Sequence, residues 1–144
     1  MTKWGLTVDC AQPGELARFW ALALGYVASP PPGGFASTHE WLASLGVPEE
    51  EWDDAAYLTD PAGVGPTISF LTVPEPKVVK NRLHVDVKAG GGRQTPWDVR
   101  WPRVLDMVER LKAAGATVVR QYDDDGRGDH VMMADPEGNE FCVV

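Results

Sequence analysis

Apolar and polar residues alternate with a period of two in Leu6-Thr7-Val8-Asp9-Cys10, and this alternation predicts a strand. The period then changes. Leu16, Phe19, Trp20, Ala23 and Leu24 recur at helical spacing and predict a helix with one apolar face, opened by Pro13 and closed by Gly25 as a left-handed cap. Tyr26-Val27-Ala28 reads as a second strand, ended by the loop Ser29-Pro30-Pro31-Pro32-Gly33-Gly34. Ser37-Thr38-His39-Glu40 has the form of a capping box, and Trp41, Leu42 and Leu45 give a short apolar face before Gly46. Pro48 to Asp54 reads as one more helical turn with acids near its positive end, so the stretch from about 37 to 54 is expected to be a helical insertion. Two strand-like runs come next, Ala56 to Thr59 and Thr67 to Val73, joined by Asp60-Pro61-Ala62-Gly63.

The second half restates this order. Pro74 to Arg82 is polar and proline-rich, a seam between modules. Leu83-His84-Val85-Asp86-Val87 alternates as the first strand did, and a Gly-rich loop runs from Ala89 to Arg93. A helix is predicted from Pro102 to Ala114, with Val104, Met107, Val108, Leu111 and Ala114 on one face and Gly115 as its cap. Ala116 to Arg120 reads as a strand, Asp123 to Gly128 as a turn, and Val131 to Val144 as two strands around Asp135-Pro136-Glu137-Gly138. In both Asp-Pro-x-Gly segments the residues suit a type I turn: Asp bonds nearby backbone, Pro presets φ, and Gly tolerates the backbone conformation at the turn's end. Strand, helix and three strands, stated twice, imply an internal duplication. The predicted class is α+β, two βαβββ modules with a curved mixed sheet, not a doubly wound nucleotide fold. The expected organisation is one domain over 1–144, with module 1 at about 1–76 and module 2 at about 80–144.

Charge and composition narrow the partners. A formal net charge of −8 opposes nucleic acid phosphate and anionic lipid, so neither partner is expected. No apolar run approaches the ~18 residues a membrane span needs, and the N-terminus lacks a secretory pattern, so a cytoplasmic protein is expected. Cys10 and Cys142, the only cysteines, lie in apolar runs without CxxC spacing and read as buried free thiols. The Gly-rich loop precedes no Lys-Ser/Thr helix start, which argues against a phosphate cradle.

Several segments together carry a resemblance that spans nearly the whole chain. They are Leu16-Ala17-Arg18-Phe19-Trp20 with Leu24-Gly25-Tyr26, Val73 to Lys77, Lys80 to Asp86, Leu111 to Gly115, and Asp135 to Cys142. On these residues the chain resembles the vicinal oxygen chelate superfamily, and within it the glyoxalase-like proteins. The resemblance implies a cupped mixed sheet. In metal-using relatives the first and last strands of each module present His and Glu to a divalent cation, which acts as a Lewis acid. Matched residue by residue, His84 takes the first-strand place of module 2, and its counterpart in module 1 is Gly5 or Thr7. The last-strand places fall on Cys142 and on Ser69 or Leu71. His84 is therefore the only conventional ligand matched, and the set is poor for the oxygen- and nitrogen-preferring cations. The resemblance implies no required cofactor here, with a weakly held divalent ion as the alternative, and classical glyoxalase I activity is not expected.

The candidate residues admit three readings. In the first, the chain binds a small organic molecule, with Arg82 and His84 as polar contacts, Thr7 and Ser69 on the concave face, and Trp41 and Trp52 as aromatic lining. In the second it is a lyase or isomerase whose catalytic residues are His84 with Glu140 or Cys142. In the third it is a structural or partner-binding module whose cup is filled. Trp4, Trp97 and Trp101 are also expected at a rim or lid, and His39 and His130 at the surface. The resemblance implies a homodimer as one arrangement, while two modules in one chain also permit a complete cup in a monomer.

Overall fold

The computed structural model describes residues 2–144, and its chain divides into two compact units. The first holds residues up to 21 and 25–76; the second holds 22–24 and 77–144.

In the first unit, β1 (Gly5–Cys10) is followed by α1 (Pro13–Leu24), β2 (Val27–Ala28), α2 (Thr38–Ser44), β3 (Ala55–Thr59) and β4 (Thr67–Thr72). Single 3₁₀ turns at Pro32–Gly34 and Glu49–Glu51 flank α2. The strands form one mixed sheet in the order β1-β4-β3-β2, with β1 parallel to β4 and the rest antiparallel. Pro13 occupies the first turn of α1, and Gly25 closes it at φ 70°. The apolar stripe behaves as its spacing predicts: Leu16, Phe19, Trp20 and Ala23 are buried. Ser37 caps α2 by accepting from the backbone N–H of Glu40 at 3.0 Å, and Glu40 reaches back to the N–H of Ala36 at 2.9 Å.

The second unit repeats the plan with β5 (Asp86–Val87), α3 (Trp97–Ala113), β6 (Thr117–Asp124), β7 (Arg127–Ala134) and β8 (Glu140–Val143). Its sheet order is β5-β8-β7-β6, with β5 parallel to β8, the same topology as the first. Both Asp-Pro-x-Gly turns form. Gly63 and Gly138 each donate to the carbonyl of the turn Asp at 2.9 Å, at φ 68° and 83°. Asp60 also accepts the N–H groups of Ala62, Val64 and Gly65, and Asp135 accepts those of Glu137 and Asn139. The duplication is thus visible in topology and in turn chemistry alike.

Three boundaries differ from the sequence reading. Helix α3 begins at Trp97 and carries Pro102 inside it. The extra turn is anchored by the burial of Arg100 and Trp101, which outweighs the local cost of the proline. The predicted turn at 123–128 is a tighter hairpin, in which Asp125 and Gly126 alone have positive φ (49° and 73°) and the strands continue on either side. The predicted strand Leu83–Val87 shrinks to Asp86–Val87, and Leu83 is 65% exposed. Ladder bonding reaches back only to the carbonyl of Val85, because the residues before it are tied to Glu140 by side chains.

Candidate functional site

Alternation along β7 and β8 separates the two faces of the second sheet. Asp129, Val131, Met133, Phe141 and Val143 are buried on the face that packs against α3. His130, Met132, Ala134, Glu140 and Cys142 are half-buried on the opposite face. Strand register sets Asp86, Cys142, Met132 and Arg120 in one row across that face, and Glu140 beside Ala134 in another.

His84 joins this face through Glu140, its Nε2 lying 3.3 Å from Oε2. Lys80 donates to the same carboxylate oxygen, and the Glu140 backbone N–H donates to Asn81 Oδ1 at 3.1 Å. The connector that the sequence marks as a polar seam therefore supplies Lys80 and Asn81, and the segment just after it supplies His84, around the first residue of β8. The Lys80 hydrogen bond holds the Glu140 carboxyl below the usual carboxylate range against the opposing effect of desolvation, and the charges of Lys80, His84 and Lys77 add to it. Glu140 is thus an anion with an ammonium and an imidazole against it. The sequence reading of Glu140 as a companion of His84 thus has its counterpart in this contact.

Cys142 is half-buried, not fully buried as its apolar run implied, because it lies on the face away from α3. Burial pushes its thiol up, and the carboxylates of Asp86 and Glu140 push it the same way. A thiol so placed stays protonated near neutral pH and is a poor nucleophile and a poor ligand. Cys10 is buried and points its Sγ at the Leu71 carbonyl, 3.5 Å away. Arg82, expected as a polar contact, is exposed in the bend before β5.

The metal that the resemblance brings into question fits these donors badly. Among the described residues no three His, Cys, Asp or Glu side chains group around one point. Glu140 is already paired with an ammonium, whose positive charge opposes a cation at the same oxygens.

Thr7 and Ser69 are register partners across β1 and β4, with Tyr57 next in the row on β3. Thr7 is exposed and Ser69 half-buried. Trp41 is half-buried on α2. Trp52 stacks on His39 at 5.2 Å and lines a cavity wholly within the first unit. Trp101 is buried beneath Gly128, where an added Cβ would overlap its ring, so it is core and not lid. Trp97 donates its Nε1–H to the Gly128 carbonyl at 2.8 Å, and Trp4 is 64% exposed.

His130 is not the surface histidine its position after a turn suggested. It lies in β7, stacked on Tyr122 at 4.5 Å, with Nδ1 2.8 Å from Asp129 Oδ2. Asp129 is buried and also receives Arg93 and Arg100. The sequence reading passed over this cluster because it placed 123–128 in a loop. The usable signal was Asp125-Gly126, a hairpin dipeptide that puts Asp129 in the following strand, two positions before Val131 and on the same face.

Comparison with known proteins agrees with this architecture. The family model described as "Glyoxalase-like domain" matches residues 5–144. No curated protein sequence matches. Among solved structures, a possible glyoxalase from Bacillus cereus is 16% identical with a TM-score of 0.60, covering 100% of this chain and 98% of that one. A glyoxalase/bleomycin resistance protein/dioxygenase family enzyme from Burkholderia phytofirmans PsJN is 17% identical with a TM-score of 0.58, covering 96% and 93%. A mutant of the fosfomycin resistance protein FosX from Listeria monocytogenes, complexed with Mn(II) and a dihydroxypropylphosphonic acid, is 12% identical with a TM-score of 0.59, covering 99% and 89%. At these identities the likeness is one of fold.

Proposed function

We propose, on the premise that this chain belongs to the glyoxalase-like domain family, that it binds a small organic acid at the β5–β8 edge of its second module without a complete metal cage. The observation that carries the reading is the occupied Glu140 carboxylate. Lys80 and His84 both lie against it, so the one matched family ligand, His84, and its nearest carboxylate are engaged in a charge cluster. Lys77, Lys80 and Arg82 bring positive charge to this edge of an otherwise acidic chain. Arg82 has no ion-pair partner among the described residues, and its planar fork suits a carboxylate. His84 would then orient the ligand from the strand side.

The His84–Glu140 approach at 3.3 Å supports a second reading, a lyase or isomerase in which His84 exchanges a proton with substrate while Glu140 holds the imidazole. Cys142 takes no part in it, since its thiol is held protonated.

Metal analysis of protein purified without chelator separates both readings from a metal enzyme. Well under one divalent ion per chain is expected. One ion per chain that disappears in His84→Ala would overturn the proposal.

A further inference from the structure

In the first module β2 is only two residues long, and β3 continues beyond it from Ala55 to Tyr57. A cavity of about 500 Å³ opens there among α1, the β2–β3 edge and the insertion. This volume falls within the range of small-molecule pockets. The room comes from small side chains on facing walls, Ala17 and Ala21 from α1 and Ala28 and Ala56 from the sheet. The insertion supplies the remaining wall: Trp52, fixed by its Nε1–H donating to the Val47 carbonyl at 3.0 Å, with His39 stacked on it. Tyr57 adds a third ring.

Charge sets the ligand's sign. Between 37 and 54 the insertion carries Glu40, Glu49, Glu50, Glu51, Asp53 and Asp54 and no Lys or Arg. Asp53 lines the cavity with its side chain 94% exposed and its Oδ1 3.2 Å from His39 Nε2, so its carboxylate stands at the mouth beside the imidazole. Arg18, also in the lining, has Glu15 3.9 Å away. Aromatic walls with a carboxylate at the mouth attract a flat cation by ring electrostatics and by direct charge.

We propose that this cavity is a binding site for planar organic cations, separate from the His84 cluster and built by the insertion that the second module lacks. Its ligand lies flat against Trp52 and Tyr57, with its charged edge toward Asp53.

Calorimetric titration with proflavine, a planar cation, tests this, with anthracene carboxylate as the anion of similar shape. Saturable binding of one proflavine per chain is expected. Asp53→Asn and Tyr57→Ala should each weaken it by about tenfold, and Ala21→Phe should abolish it by filling the room. His84→Ala should leave it unchanged. Asp53 and Tyr57 are exposed enough that their variants keep the fold. Absence of saturable proflavine binding overturns the proposal, as does binding indifferent to Asp53 and Tyr57, or anion binding that depends on Asp53. Because His84 is outside the cavity, these results are independent of the fate of the organic-acid site.

Discussion

Glu140 and Cys142 share one strand face, yet their surroundings drive them in opposite directions. Glu140 is stabilised as an anion by the hydrogen bond from Lys80, and it then helps to keep the neighbouring thiol neutral. The Lys80 ammonium makes the carboxylate a poor metal ligand, whereas the cysteine is a poor nucleophile chiefly because it is buried, with Asp86 and then Glu140 adding to that effect. Iodoacetamide should therefore alkylate Cys142 much more slowly in the native protein at neutral pH than after denaturation, with the native rate rising only in the alkaline range above the ordinary thiol value. Native labelling at neutral pH as fast as that of the unfolded chain would contradict this placement.

At the scale of elements, the Gly-rich loop, α3 and β7 are joined at Asp129. Arg93 comes from the loop, Arg100 from the first turns of α3, and His130 from the strand itself. The His130 hydrogen bond, with the Arg93 and Arg100 interactions, holds the Asp129 carboxyl below the usual carboxylate range in spite of burial. A depressed folded value contributes stability that is fully present above the unfolded value, about 3.9, and is lost as pH falls through the folded value. Asp129→Asn should therefore cost about 1.5–3 kcal/mol at neutral pH, and the gap to wild type should narrow below about pH 4. Urea midpoints across pH would check this; a gap constant down to strong acid would contradict it. This cluster was hidden in the sequence because its members are distant in the chain and meet only through tertiary packing. The legible features were periodic or local: the α1 stripe, the Ser37 cap and the two Asp-Pro-x-Gly turns all needed only residues a few places apart. The start of α3 was misread because Pro102 is a strong local signal, whereas the burial of Trp101 under Gly128 leaves none. The Trp52–His39 wall was half legible, since aromatic content suggested a pocket without saying which face would hold it.

For the molecule as a whole, duplication supplies two copies of one topology whose chemistry has diverged. The first module carries an acidic insertion and an aromatic cavity, and the second carries a basic connector and the His84–Glu140 pair. The duplicated topology was readable because turns and apolar periods are repeated along the chain, and the family because segments from Leu16–Trp20 to Asp135–Cys142 carry the resemblance. Ligand chemistry was less so, because it depends on which side chains the connector brings to β8. No helix among the described residues is long and apolar enough to cross a membrane. The central claim is a metal-independent organic-acid site at His84. A nuclear magnetic resonance titration of nitrogen-15-labelled protein with a panel of small carboxylic acids, in excess EDTA, tests it most directly. Saturable shifts clustered at residues 80–86 and 140–142, lost in His84→Ala and weakened in Arg82→Ala, are the predicted result; shifts that arise only after a divalent ion is added, or none with any acid, would contradict it.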